Sequence, residues 1–403
     1  MKTFQIPEYY RSPTIGKVKE IRKQGDPRKK DFRPTLLDFG PVRFYIARHF
    51  GFCYGVENAI EIAYRAVEEN PGKRIFLLSQ MIHNPEVNAD LQGHGIGFIM
   101  DTEGKMFISW DALTANDIVI IPAFGTTLEI ENLLQEKGIE VQKYNTTCPF
   151  VEKVWNRAEK LGTENYTILI HGKAKHEETR ATFSHAQKNA PSLVLKDIEE
   201  SRILGEIILG KRPLHTFFEI FKNRFSEGFD PEKDLQRVGV INQTTMLATE
   251  TQEIADYFKN VMLEKFGEQE IRQHFADTKD TLCYATNDNQ QATYGLMEEQ
   301  ADMAIVIGGY NSSNTTHLVE LLETKFPTAF INGEKEISDA AFHSFNIHHK
   351  HMEEIPHEFG KKQQTIILTS GASCPDSVVD RVLQKILGFY SNVLPTEEVL
   401  QKI

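Results

Sequence analysis

Four cysteines in 403 residues, none of them paired as CxxC, are too few and too scattered for a disulfide scaffold, a zinc ribbon or a thioredoxin-like dithiol. Long hydrophobic runs are missing too. The longest, DIVIIPAF, MAIVIG and TIIL, are the size of strands and far short of a membrane span. No apolar stretch of a secretory signal opens the chain, and Glu8, Glu20, Asp26 and Asp31 break up the basic character of a transit peptide. The expectation is a soluble cytoplasmic protein with no membrane partner. Positive charge is in deficit as well, and a net charge of −12 argues against nucleic acid as a partner. Composition is otherwise that of a globular protein, and the length calls for more than one domain.

Three of the four cysteines recur in one context. Cys53 in FGFCYGVENAIEIA, Cys148 in NTTCPFVEKVWNRA and Cys283 in DTLCYATNDNQQA each end an apolar run and precede a helix-like stretch. About thirty residues after each, a second apolar run ends in a polar turn, at His83, His176 and Ser312. A spacing kept three times says that one supersecondary unit is repeated. Three thiols in equivalent positions can meet on a common axis, and three converging thiolates call for a metal or a cluster. Soft thiolates suit iron–sulfur, zinc or copper(I), and three ligands leave one metal position open for chemistry. A helix N-terminus ahead of each thiol should lower its pKa. Cys374, in ASCPDSVVDRVL, is out of phase with the others and reads as structural, although spacing alone leaves a four-cysteine cluster open.

From Val42 onward, nearly continuous apolar runs such as YTILIHG and MAIVIGG alternate with segments of helical period. In one of these Val151, Val154, Trp155, Ala158 and Leu161 recur at three and four. That alternation predicts α/β architecture with parallel sheets. The polar turns follow strands and precede helices, where open parallel sheets bind ligands. Residues 1–40 read as a polar N-terminal extension, with ten Lys or Arg against four acids up to Pro34, peripheral or else in contact with a partner. Residues 41–54 read as a strand joining the third domain. Domains are expected at 55–148, 149–282 and 283–403, with a mostly helical insert at about 197–234 in the second.

Two glycine-bearing turns, GGYNSSNTTHLVELL and TSGASCPDSVVDRVL, have the backbone N–H groups and hydroxyls of a phosphate cradle, although Ser312, Asn314 or Ser373 could serve only as helix caps. HGKAKHEETRAT puts His176, Glu177 and Glu178 past a strand end, and an imidazole beside a carboxylate makes an acid–base pair.

At GFCYGV, IHNPEV, TTCPFVEKVW, HGKAKHEET, NQTTM, CYAT, NSSNT and TSGASCPD, from about Phe44 to Leu387, the chain resembles the 4-hydroxy-3-methylbut-2-enyl diphosphate reductases of the non-mevalonate isoprenoid pathway. Its AFG motif, long extension and insert resemble the plant and cyanobacterial branch. The resemblance implies three similar parallel-sheet α/β domains with pseudo-threefold symmetry around a central iron–sulfur cluster. It implies one [4Fe–4S] cluster per subunit on Cys53, Cys148 and Cys283. It makes Glu178 the proton donor, has His176 and Thr244 orient the departing hydroxyl, and gives His83, Ser312, Ser313, Asn314 and Ser373 to the diphosphate. Two electrons, from ferredoxin or flavodoxin, would give isopentenyl and dimethylallyl diphosphates. Association into a homo-oligomer stays open. Many members have a histidine where this chain has Phe124, and Lys173, Thr126 and Thr127 are the candidates by sequence to replace it. The alternatives are quinolinate synthase, disfavoured by NSSN and HEET, and a non-enzymatic metal or redox sensor, which leaves the phosphate-type loops unexplained.

Overall fold

The computed structural model describes residues 4–276 and 281–403. The fold is α/β, with three sheets of one connectivity. In the first, Met303–Ile307 lies between Thr328–Ile331 and Gln364–Ser370. In the second, Ile75–Leu77 lies between Ile96–Phe98 and Ile118–Ile120. In the third, Thr167–His171 lies between Ser192–Leu195 and Val238–Asn242. All these pairs are parallel. The first strand of each set is therefore central, with the second on one side and the third on the other.

A fourth element then pairs, again in parallel, with each third strand. It is Val42–Ile46 on Gln364–Ser370, Phe275–Ala276 on Val238–Asn242, and a single bridge from Ile121 to Asn145 in the remaining sheet. Each fourth element leads straight to a cysteine: Cys53, Cys283 or Cys148. In sequence the cysteine opens each repeat. In space it hangs from the third strand of the sheet before it, and for Cys53 that is the sheet of the C-terminal region. We propose the grouping by sheet, with boundaries near 54, 148 and 282, as the domain division.

By compactness the chain forms two units, residues 1–61, 82–90 and 284–403, and residues 62–81 and 91–283. In the second unit Ile168 and Ile170 enter one apolar cluster with Val154, Ala158 and Ile241. Leu169 enters another with Leu193, Val240 and Phe258. Successive side chains of a strand point to opposite faces, so a sheet covered on both faces needs an unbroken apolar run. Residues 198–234 hold helices Ile198–Ile208, His215–Ile220 and Pro231–Asp234. They are no loose excursion. Phe217, Phe221 and Phe229 are core residues, and the Val194 N–H donates to the Arg224 carbonyl at 2.8 Å, closing the edge of Ser192–Leu195.

The N-terminal segment differs from the peripheral arm expected. It forms helix Pro13–Gly25, capped by Ser12 Oγ with Pro13 in the first turn, and strand Thr35–Asp38, antiparallel to Val42–Ile46. Ile15 and Val18 are fully buried in the core of the first unit with Phe44, Ile307 and Val382. Two apolar side chains three apart make a narrow stripe, easily hidden among lysines when read as composition. They suffice to dock one short helix.

Candidate active site

Each cysteine N–H donates to the carbonyl of the loop beyond a third strand. Cys53 is tied to Ala372 at 3.2 Å, Cys148 to Ala123 at 2.9 Å and Cys283 to Thr244 at 3.3 Å. The repeat seen in the spacing is thus also a repeat of hydrogen bonds. All three thiols are half-buried and none is in a disulfide, and each stands at the start of a helix: Tyr54–Glu69, Pro149–Thr163 or Tyr284–Met297.

In the second unit, Thr244 lies at the centre of a set of short contacts. Its N–H donates to Glu178 Oε1 at 2.5 Å, while its carbonyl holds the Cys283 backbone. Glu178 is fully buried, and that burial raises its pKa to about 7 against the opposing hydrogen bonds from Thr244. His176 caps helix Glu177–Gln187, its Nδ1 accepting the Glu178 N–H at 3.2 Å, so a neutral ring has its proton on Nε2. The edge of the Phe124 ring meets His176 with centroids 5.6 Å apart and planes at 85°. Where a second imidazole would donate, the phenyl ring packs. Thr127 is engaged as the cap of helix Leu128–Glu136.

Helix position was expected to lower the thiol pKa values. For Cys148 the opposite holds. Burial pushes the thiol up to about 11, Cys283 and Glu178 add to the rise, and the N–H groups of Phe150 and Val151 oppose it without prevailing. Two half-buried thiols close enough to feel one another, beside a carboxyl, fit a bound cation that would make thiolates favourable. Among the described residues, no three Cys, His, Asp or Glu side chains within either unit are gathered as a metal centre.

The first unit contains the residues that the sequence reading gives to an anion cradle. Ser312 caps helix Ser313–Leu322, its Oγ accepting from Thr315 N at 3.3 Å and Thr315 Oγ1 at 3.0 Å. Capping is thus real, and it leaves the Ser312 O–H to donate. Ser313 is buried in the first helical turn. Asn314 Oδ1 accepts from Ala372 N at 2.9 Å and Asn289 Nδ2 at 3.3 Å, which fixes the amide. Asn314 Nδ2 is buried and has no hydrogen-bond partner. Ser373 Oγ donates to the His83 carbonyl at 3.1 Å, and Gly309 lies so close that a Cβ there would be 2.2 Å from that oxygen. One loop, 371–374, therefore joins Cys53, His83 and Asn314. Cys374 is fully buried in the apolar core, and burial raises its thiol pKa strongly.

Two residues of the second unit gain partners that the sequence did not foretell. Gln243 Oε1 accepts from Lys173 N at 3.2 Å and Thr179 Oγ1 at 2.9 Å, bracing the Thr244 loop against the acid-bearing helix. Glu177 is buried, bonded by Ser79, raised to about 7 by burial, and lines a cavity of about 390 Å³.

The family model described as LytB protein matches residues 44–387. A Picosynechococcus relative named 4-hydroxy-3-methylbut-2-enyl diphosphate reductase is 44% identical over 355 residues, covering 87% of this chain and 85% of its own. A Synechococcus relative of the same name is 41% identical over 392 residues, covering 96% and 92%. A solved structure titled (E)-4-hydroxy-3-methyl-but-2-enyl diphosphate reductase, the terminal enzyme of the non-mevalonate pathway, aligns with a TM-score of 0.51 at 25% identity. That alignment covers 86% of this chain and 99% of the solved one. A Plasmodium falciparum reductase structure, 22% identical with a TM-score of 0.60, covers 85% and 86% and shares the fold. Matched over the same stretch that holds its cysteine, acid and cradle motifs, the chain belongs to the LytB family.

Proposed function

We infer that the chain is an oxidoreductase converting (E)-4-hydroxy-3-methylbut-2-enyl diphosphate, two electrons and two protons into isopentenyl or dimethylallyl diphosphate and water. The observation that carries the reading is Glu178, a carboxyl whose pKa burial raises to about 7 and which is clamped by the residue that anchors Cys283. Hydroxide is a poor leaving group, so the step needs an acid positioned with its proton in place. Glu178 holds that proton, while Thr244 and His176 fix its carboxyl and would orient the substrate oxygen. Ser312, Ser313, Asn314, Ser373 and His83 would take the diphosphate at a helix N-terminus. Holding it there positions the carbon skeleton.

Cys53, Cys148 and Cys283 are the ligands we propose for one [4Fe–4S] cluster. When bound, the cluster supplies single electrons and a Lewis-acidic iron. Ferredoxin or flavodoxin is the donor class we propose, and the cytoplasm the location. No helix among the described residues is long and apolar enough to cross a membrane. Anaerobic reconstitution with iron and sulfide, followed by product analysis with the hydroxylated diphosphate and a one-electron reductant, tests the proposal. Both isoprenoid diphosphates should form. A colourless protein that turns nothing over after reconstitution would sink the reading.

A further inference from the structure

Behind the Cys53 loop, within the first unit, lies a cavity of about 220 Å³ whose lining includes Lys19, Lys23, Lys29, Arg48 and His49, with Asp288 as its single acid. The basic character is local, since the whole chain is acidic. Some of that charge is already paired. Lys19 Nζ sits 2.6 Å from Asp376 Oδ1, and Arg48 Nη2 is 3.7 Å from Asp26 Oδ2. Lys23 and Lys29 are exposed, and Lys29 has a left-handed backbone with φ of 53°.

Two atoms make this more than a charged surface. Arg48 is 6% exposed, and its Nε is buried with no hydrogen-bond partner. His49 is 9% exposed, and its Nε2 is in the same state. A buried polar group left unmatched is costly, so two such groups on residues that line one cavity mark a place where something else supplies the partner. The imidazole is held neutral, its pKa lowered to about 4 by burial and then by the Arg48 and Lys29 charges. A neutral ring with a free nitrogen and a guanidinium edge suit an oxyanion better than a cation.

We propose that this cavity is an oxyanion-binding site, taking a free phosphate-type group and distinct from the diphosphate cradle. No cradle residue lines it; Asn289, which does, donates to Asn314 of the cradle at 3.3 Å. The site is built from the N-terminal helix on one side and the Cys53 loop on the other. Gly51 has φ of 77°, and a Cβ there would be 2.5 Å from Asp376 Oδ1 and 2.8 Å from Lys19 Nζ, so helix and loop are already in close contact. An anion bridging Lys23 and Lys29 to Arg48 adds a second clamp between them. Its consequence is a stiffer Cys53 loop.

The test titrates inorganic phosphate into the full-length chain at low ionic strength, where charge pairing is least screened. Calorimetry reads binding, and hydrogen exchange reads residues 13–29 and 48–53. Phosphate should bind saturably and slow exchange of the 48–53 amides. Lys23→Ala combined with Lys29→Ala, at exposed positions, should weaken that binding by about tenfold or more, the worth of one or two charge-assisted contacts. Its unfolding temperature should not change. Arg48→Lys should weaken it as well, and Ser312→Ala in the cradle should leave it intact. Three results overturn the proposal: no binding, binding indifferent to the lysine pair, or binding lost only in Ser312→Ala, which would place the anion in the cradle.

Discussion

Glu177 and Glu178 are adjacent in sequence, and both are raised to about 7 by burial, yet they have different partners. Glu178 is held by Thr244 and Glu177 by Ser79. Replacing Glu178 with Gln keeps the size and removes the proton, so turnover should fall by roughly a hundredfold or more with iron content unchanged. A near-normal rate would move the acid role to another group. For Glu177 the expected effect is on stability. Its folded pKa lies above the ordinary carboxyl value, so the native state keeps a proton that the unfolded chain releases. That contribution is complete below about pH 4.5 and is lost as pH rises through about 7. Thermal unfolding followed between those values should show stability declining in the parent chain and a flatter profile in Glu177→Gln. Identical profiles would show that the buried carboxyl is compensated elsewhere.

Among the elements, the loops beyond the third strands hold the most function in the least chain. The 371–374 loop receives the Cys53 amide, donates through Ser373 to His83 and is pinned by Asn314. Such a loop tolerates little displacement. Gly309→Ala forces the main chain away from the His83 carbonyl, since its Cβ would stand 2.2 Å from that oxygen. Steady-state kinetics should show KM for the diphosphate substrate raised by about tenfold, equivalent to about 1.4 kcal/mol of binding, with cluster iron retained. Loss of iron in place of affinity would mean the disturbance travels to Cys53. Cys374→Ser should keep its iron, because that thiol is buried in the apolar core.

For the molecule as a whole, the N-terminal helix belongs to the core. Removing the first 34 residues would strip Ile15 and Val18 from the first unit, so slower reduction after such a deletion could not be assigned to lost charge. Ile15→Ala alone should cost about 2–5 kcal/mol in chemical denaturation, as other emptied core positions do. A loss below about 0.5 kcal/mol, ordinary for surface positions, would return the helix to the surface. The effect of its basic side chains on an acidic electron carrier is better tested by Lys17→Glu and Lys30→Glu. Both positions are exposed and outside the cavity lining. Reduction by ferredoxin at low salt should slow while reduction by dithionite does not. Equal ferredoxin rates would remove the N-terminal segment from the docking surface.

The cysteine spacing, the strand-to-helix alternation and the motifs from GFCYGV to TSGASCPD were legible in the linear chain. Each is a local pattern, set by side-chain period or by residues that stand together. So were the helices after the cysteines, and Ser312 as a helix cap. Partnerships across long separations were not legible. That Cys53 hangs from Ala372, that Gln243 braces the Thr244 loop, and that Ser79 holds Glu177 all follow from which strands become neighbours. Signs of pKa shifts were hidden for the same reason. A helix start predicts an acidic thiol, whereas the Cys148 thiol is raised because burial outweighs two N–H groups. Desolvation depends on every neighbour around a group, and those neighbours come from segments far apart in the chain.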